Sequence, residues 1–297
     1  MATGGMIGSR IMGSAMVALV ADGIVTFACR AGHVIALAVL AVGCATVEIV
    51  TTPPAAPARL AVLTWNMHAG RGDLPRLVHD LETGRLAGAP AHDAVLLLQE
   101  AVEDDAPGLH ALAAARGWST FFVPVRHDGK RTGGNAILSS RPIRNARAIP
   151  LPRERQPRIA AAGAIAVDGR ELFVVSAHLE NRVSWWKAGI GSDDARGRQA
   201  AALVRALPTG APGIIGGDFN TWLGPGEPAW RLLRRRFDDT PGARAPTFAA
   251  RLVLDHVFVD LPDGWETSTR VIEDTYRSDH HPVLALLFSE SSRAASR

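Results

Sequence analysis

Gly216-Gly-Asp-Phe-Asn220 follows the apolar pair Ile214-Ile215, so a core strand ends in two glycines and then two polar side chains separated by one aromatic. A residue without a Cβ lets another backbone, or a substrate, come close. If the strand continues, alternate side chains share a face, which puts Asp218 and Asn220 together and leaves Phe219 for the core. A carboxylate so placed can orient an attacking water. An amide can hold a phosphoryl oxygen without adding charge. A plain turn built on Asp-Phe-Asn has the same sequence.

Outward from this stretch, polar residues recur at the ends of apolar runs or inside them. Asn66 closes Leu60-Ala-Val-Leu-Thr-Trp-Asn66, Glu100 closes Val95-Leu-Leu-Leu-Gln-Glu100, and His178 follows Leu172-Phe-Val-Val-Ser-Ala177. Asp255 sits inside Leu252-Val-Leu-Asp-His-Val-Phe258, and Asp279-His280 precede His281-Pro-Val-Leu284. Each has a bland reading taken singly: Asn66 caps a turn, Glu100 meets an arginine, His178 packs, and Asp255 with His280 is a purely structural pair. A carboxylate buried without a partner costs several kcal/mol, so Glu100 and Asp255 both require one. A hard divalent cation suits Glu100. An imidazole suits Asp255, because a carboxylate on one ring nitrogen fixes the tautomer and stabilises the charged form. Acids, amides and imidazoles collected at strand ends are what metal-assisted cleavage of a phosphate ester requires.

The chain has 297 residues, with 47% hydrophobic and 21% charged side chains, an ordinary globular composition. Lys130 and Lys187 are the only lysines among 32 basic residues, and residues 59–297 hold 30 Lys and Arg against 27 Asp and Glu. That balance permits an anionic substrate without the clustered excess of a dedicated nucleic-acid binder. Both cysteines, Cys29 and Cys44, precede residue 59, so the globular part has neither a disulfide nor a thiol nucleophile.

The first 58 residues differ in composition. Residues 11–28 are mostly apolar but contain Asp22, and Val34–Val47 is a second apolar run of 14 residues. That is short for a spanning helix, which needs about 20, and closer to the core of a signal peptide. Leu40-Ala-Val-Gly-Cys44-Ala resembles a bacterial lipobox with its leucine one place early. Residues 1–50 are therefore expected to export or anchor the chain, with Cys44 as a lipidation site, or with two short apolar helices as an uncleaved anchor. Thr51-Thr-Pro-Pro-Ala-Ala-Pro-Ala58 reads as a spacer, and 59–297 as the functional domain, on the periplasmic or extracellular face of a membrane.

In that domain the apolar patterns predict strands at 60–66, 94–100, 119–125, 135–140, 160–167, 171–178, 212–218, 252–259, 266–272 and 283–288. Helices are expected at 74–85, 107–116, 193–206 and 227–236. Many strands with few helices argue for an α+β chain of stacked sheets flanked by helices.

Thr64-Trp-Asn-Met67, Leu98-Gln-Glu100, Gly134-Asn-Ala-Ile-Leu-Ser139, Ala177-His-Leu179, Gly217-Asp-Phe-Asn220, Leu254-Asp-His256 and Ser278-Asp-His280, in that order, resemble the endonuclease/exonuclease/phosphatase superfamily. Deoxyribonuclease I, abasic-site endonucleases, neutral sphingomyelinases and inositol polyphosphate phosphatases are members. The resemblance implies a four-layer α/β/β/α sandwich of two mixed sheets with its active site at one edge. It implies Mg2+, or Mn2+ in its place, near Glu100, Asn66 and Asp279. Asp218 would orient or deprotonate the water, Asn220 and His280 would contact the scissile phosphate, and Asp255 would hold His280. His178 would protonate the leaving group or stabilise the pentacovalent state. The expected substrate is a phosphodiester, nucleic acid or phospholipid head group; release of phosphate from a monoester and a non-catalytic binding module are the alternatives. No obligate protein partner is evident. Relatives often carry an arginine near the phosphate, and Arg155 and Arg158 are both candidates. Trp185-Trp186-Lys187 would touch lipid, stack on a base or pack as a lid.

Overall fold

A computed structural model describes residues 18–21, 24–27, 60–103, 108–129, 131–181, 192–237 and 245–289. The chain divides into two units, Met1–Val50 and Thr51–Arg297. In the first, β1 (Ala18–Ala21) pairs antiparallel with β2 (Ile24–Phe27). The expected signal core, Cys44, the Pro-rich spacer and the Trp185-Trp186-Lys187 stretch lie outside the described residues. Among the described residues no helix is long and apolar enough to cross a membrane.

The second unit runs β3 (Leu60–Asn66), α1 (Leu74–Glu82), β4 (Ala94–Val102), α2 (Leu109–Ala114), β5 (Ser119–Asp128), β6 (Arg131–Ser139), β7 (Arg144–Pro150), β8 (Ile159–Val167) and β9 (Arg170–His178). It continues with α3 (Ser192–Ala206), β10 (Gly213–Asp218), α4 (Pro228–Arg236), β11 (Asp255–Asp260), β12 (Trp265–Val271) and β13 (Val283–Ser289). One sheet has the order β12-β13-β3-β4-β6-β5, the other β11-β10-β9-β8-β7. The pairs β3–β4 and β9–β10 are parallel, and the remaining pairs are antiparallel.

Strand alternation builds the layers. Leu60 and Val62 of β3 face inward, where they meet Val174, Ile214 and Val257 of the other sheet. Ala61, Leu63 and Trp65 face the opposite way onto α1, whose Leu74, Leu77, Val78 and Leu81 form one apolar stripe. Asp73 caps that helix by accepting from the Arg76 N–H, and Pro75 occupies its first turn. Across the molecule, Ala200 and Leu203 of α3 and Leu233 of α4 cover Phe173, Val175 and Ile215. The result is the four-layer sandwich of two mixed sheets, with each buried leucine or valine contributing about 1.5–3 kcal/mol.

Several boundaries differ from expectation for local reasons. β7 escaped the sequence reading because only Ile149 of its seven residues is buried, so no apolar run marks it. β11 begins at Asp255 and not at 252, because the Leu254 and Asp255 N–H groups donate to Thr247 Oγ1 outside the ladder. β4 does not stop at Glu100; it continues to Val102 through a register shift between Leu98 and Ala101.

Candidate active site

The two parallel pairs bring their C-terminal ends to one edge of the sandwich, and register does the rest. Asp218 lies beside His178 on one side and Asp255 on the other. Asn66 of the facing sheet donates from Nδ2 to Asp218 Oδ2 at 3.0 Å, joining the sheets at the site. Beneath this contact, Gln99 Nε2 donates to Leu97 O and Ser176 Oγ, and Ser176 Oγ donates to Leu98 O. This buried polar network links the sheets and fixes how far apart the strand ends stand.

The glycines before Asp218 answer to packing. A Cβ on Gly216 would come within 2.7 Å of Leu97 Cδ1 and 2.8 Å of Thr64 Cβ, and one on Gly217 within 2.0 Å of Ala177 O. The close approach is to protein and not to substrate. Nor does the strand continue to Asn220. It adopts φ 50°, its N–H donates to Asp218 Oδ1 at 3.0 Å, and its Nδ2 donates to Leu179 O at 3.2 Å. Phe219 is buried in the core under α3 and α4, as its position in the motif required.

Two imidazoles converge on Asp218. His178 Nε2 is 3.5 Å from its Oδ2, and His280 Nε2 is 3.9 Å from the same oxygen. His280 Nδ1 lies 2.8 Å from Asp255 Oδ2, a fully buried carboxylate whose Oδ1 has no hydrogen-bond partner. Phe248 packs its ring 4.7 Å from that of His280. The loop bearing His280 is pinned by Trp65 Nε1 donating to His280 O, and by Ser278 Oγ donating to Asn66 O.

Electrostatics divides these groups. Burial, aided by the charge on Asp255, pushes the Asp218 carboxyl up to about 7 although His280 and the Asn66 amide oppose it. Burial works against a charged His280, but Asp255 more than offsets it and holds the imidazole at about 9. His178, 3.5 Å from Asp218, is shifted the other way. Burial, with Arg158 and His280 nearby, pushes it well below the ordinary histidine range and keeps it neutral.

Glu100 stands apart from this cluster but in contact with it through the 66–69 loop. The β4 bulge turns Glu100 to φ 51°, and its Oε2 accepts from the Ala69 N–H at 2.9 Å. Bulges re-aim side chains, and left-handed backbone at a non-glycine is characteristic of functional sites. Asn66 Oδ1 accepts from the neighbouring His68 N–H at 3.0 Å, and His68 Nδ1 lies 3.3 Å from Asp279 Oδ1. Glu100, Asn66 and Asp279 thus gather around one turn and offer oxygen donors only, the set that suits a hard divalent cation. Asp218, Asp255 and His280 also offer ligand atoms within 4.8 Å of one another. Asp255 already uses an oxygen on His280, which makes that trio better suited to holding protons than a cation.

A cleft of about 530 Å³ opens beside these groups, lined by Glu100, His178 and Arg158 at one end. Asn135 donates from Nδ2 to Ile159 O at 2.7 Å and closes its floor next to Arg158. Arg158 is 8% exposed, has no hydrogen-bond partner at Nε, and feels Glu180, Asp218 and Glu100 electrostatically.

Residues 63–280 match the family described as Endonuclease/Exonuclease/phosphatase family. The chain belongs to that family. A curated relative, UPF0294 protein VV2535 of Vibrio vulnificus (strain YJ016), is 28% identical over 238 residues, 76% of each chain. The fold is shared with an endonuclease/exonuclease/phosphatase from Beutenbergia cavernae DSM 12333, at TM-score 0.60 and 21% identity over 77% of this chain and 71% of that one. Sphingomyelinase C from Streptomyces griseocarneus gives TM-score 0.55 and 21% identity over 77% and 99%.

Within this family member, all eight residues singled out from sequence lie at the one edge, linked by the contacts given above. Arg158, and not the side chain of Arg155, lines the cleft; the Arg155 and Gln156 N–H groups donate instead to the buried Glu180. The Gln99–Ser176 network, Phe248 and Glu180 were not read from sequence. Glu180 stands two residues after His178 and carried no pattern of its own. Its burial, and that of the Arg196–Glu227 pair behind it, appears only when α3 folds over β9.

Proposed function

We propose that this chain is a divalent-cation-dependent phosphodiesterase acting on nucleic acid or on a phospholipid head group. The observation that carries the reading is the 3.0 Å contact between Asn66 and Asp218, which joins the 66–69 turn, in contact with Glu100 and Asp279, to the His178–Asp218–His280 cluster. Mg2+ is the cation of choice, with Mn2+ as a substitute, and Glu100, Asn66 and Asp279 would hold it. When bound it neutralises charge on the phosphoryl group and positions it.

The protein's own side chains do the remaining work. Asp218 takes the proton of the attacking water, a task suited to a carboxyl whose buried setting brings its affinity for protons near neutrality. His280, charged and oriented by Asp255, donates from Nε2 to a phosphoryl oxygen. Asn220 offers its amide to the same phosphate. A neutral His178 is suited to donating a hydrogen bond to the pentacovalent state, which favours that role over leaving-group protonation. Arg158 supplies a buried guanidinium, its Nε without a partner, to a non-bridging oxygen.

Release of phosphate from a monoester would use the same groups. The length of the cleft beyond Glu100 favours a diester, since it gives a second substituent a place to lie. We place the enzyme on the outer face of a membrane, on the strength of the apolar run at 34–47 and the spacer that follows. The test uses the full chain with Mg2+ or Mn2+ on bis-p-nitrophenyl phosphate, plasmid DNA and phospholipids. Turnover that stops with EDTA and is lost in both Asp218→Ala and His280→Ala supports the reading. Tight phosphodiester binding with no turnover under any metal would make the chain a binding module.

A further inference from the structure

Three consecutive residues after β3, His68, Ala69 and Gly70, take left-handed backbone, with φ 50°, 53° and 74°. Glycine does so freely, but two non-glycines in a row do so only where the surroundings hold them. The turn closes on itself: the Arg71 N–H donates to His68 O at 3.2 Å, and the Gly72 N–H to Met67 O at 3.1 Å. The three residues that would hold the cation all touch it. The His68 N–H donates to Asn66 Oδ1 at 3.0 Å, the Ala69 N–H donates to Glu100 Oε2 at 2.9 Å, and His68 Nδ1 lies 3.3 Å from Asp279 Oδ1. The first two contacts come from backbone and would survive a change of side chain at 68. The third would not.

That side chain has a defined sense. Arg71 Nη1 lies 3.2 Å from His68 Nε2. A guanidinium has donors and no acceptor, so Nε2 receives and the ring proton sits on Nδ1, toward Asp279. Arg71, His68 and Asp279 therefore make a chain of donors that ends on a carboxylate. The His68 and Asp279 side chains are 36% and 44% exposed, and polar contacts so open to water add little to the fold. Their use lies elsewhere. We infer that His68 is a positioning residue, whose Nδ1–H holds Asp279 in the orientation that ligates the cation. The inference deepens the cation-dependent reading and rests on it. A carboxylate already held in place need not be ordered at the moment of binding, and groups behind metal ligands commonly change affinity roughly 10–100-fold.

The experiment titrates Mn2+ into the full chain and follows the free ion by electron paramagnetic resonance, with circular dichroism to show that each variant is folded. His68→Gly eases the left-handed backbone and removes the ring, so its Kd for Mn2+ is expected to rise about tenfold or more. His68→Asn tolerates the same backbone and puts an amide N–H near the place of Nδ1, and its Kd is expected to stay within about threefold of wild type. His68→Gly binding as tightly as wild type overturns the inference and leaves the cation site standing. His68→Asn binding as weakly as His68→Gly overturns it too, because the donor is then not what matters. A wild type that takes up no Mn2+ at saturation overturns the cation reading and this inference together, a result distinct from either of those. The wild type also answers alone. In nitrogen-15 spectra the His68 ring, recognised as the signal missing from His68→Asn, is expected to carry its proton on Nδ1; a proton on Nε2 instead overturns the inference whatever the metal does.

Discussion

The two ends of the cleft are built differently. At the inner end Asp218, Asp255, His178 and His280 are buried, register-locked on strand ends and tied to the opposite sheet through Asn66. At the outer end Arg71, Arg126 and Arg131 stand exposed on a loop and a hairpin. On the proposed function, chemistry that must hold atoms within tenths of an ångström would sit where the core fixes the backbone. Recognition, which can differ between relatives with one chemistry, would fall to segments that the core does not constrain.

That contrast makes graded predictions. Asp218→Asn is expected to lower kcat roughly 10²–10⁴-fold with the fold intact, as read by turnover beside circular dichroism. A fall of less than tenfold would move the water-activating role elsewhere. Arg158→Met is expected to reduce kcat/KM roughly 10²–10³-fold while raising stability to urea, because a buried cation without a partner at Nε is replaced by an apolar chain. Lost activity with lost stability would instead mark Arg158 as structural.

A third prediction concerns pH. Burial holds His256 down at about 4 from an ordinary 6.5. The unfolded chain therefore takes up a proton near pH 6.5 that the native state refuses until about pH 4, and His256 destabilises the fold as pH falls through that window. The contribution is roughly 1.4 kcal/mol per pH unit. Asp218, raised by the fold, acts with the opposite sign, so the readout is the difference between wild type and His256→Gln in urea melts at pH 7.5 and 5. The wild type should lose more; parallel behaviour would show that His256 is charged in the native state. Smallest of all, Arg126→Ala should leave the melting free energy within about 0.5 kcal/mol. A larger loss would mean that the outer wall serves the fold before it serves a ligand.

The same contrast explains what could be read in the sequence. Asp218 and His280 were legible because a polar residue beside a core strand breaks a strong apolar pattern. Glu100 was legible for that reason too, although the bulge that aims it was not, since nothing in Gln99-Glu100-Ala101 encodes a register shift. The fold class followed from many strands and few helices. β7 and the β5–β6 hairpin end were missed because exposed strands carry no apolar alternation. Arg158 remained level with Arg155 until the buried Glu180 drew the backbone of the 155–156 segment inward. Arg126 and Arg131 had no signal, since in a chain whose cations are almost all arginine a pair on a hairpin looks like any other.

The central claim is that the cation and the proton-handling groups occupy neighbouring places in one cleft. Crystals of the full chain grown with Mn2+, measured for anomalous scattering, test it most directly. The account predicts a peak bonded to the carboxylates of Glu100 and Asp279 beside Asn66, with Asp218 and His280 facing it across the cleft. A peak centred on Asp218, Asp255 and His280, or none at saturating Mn2+, would contradict it.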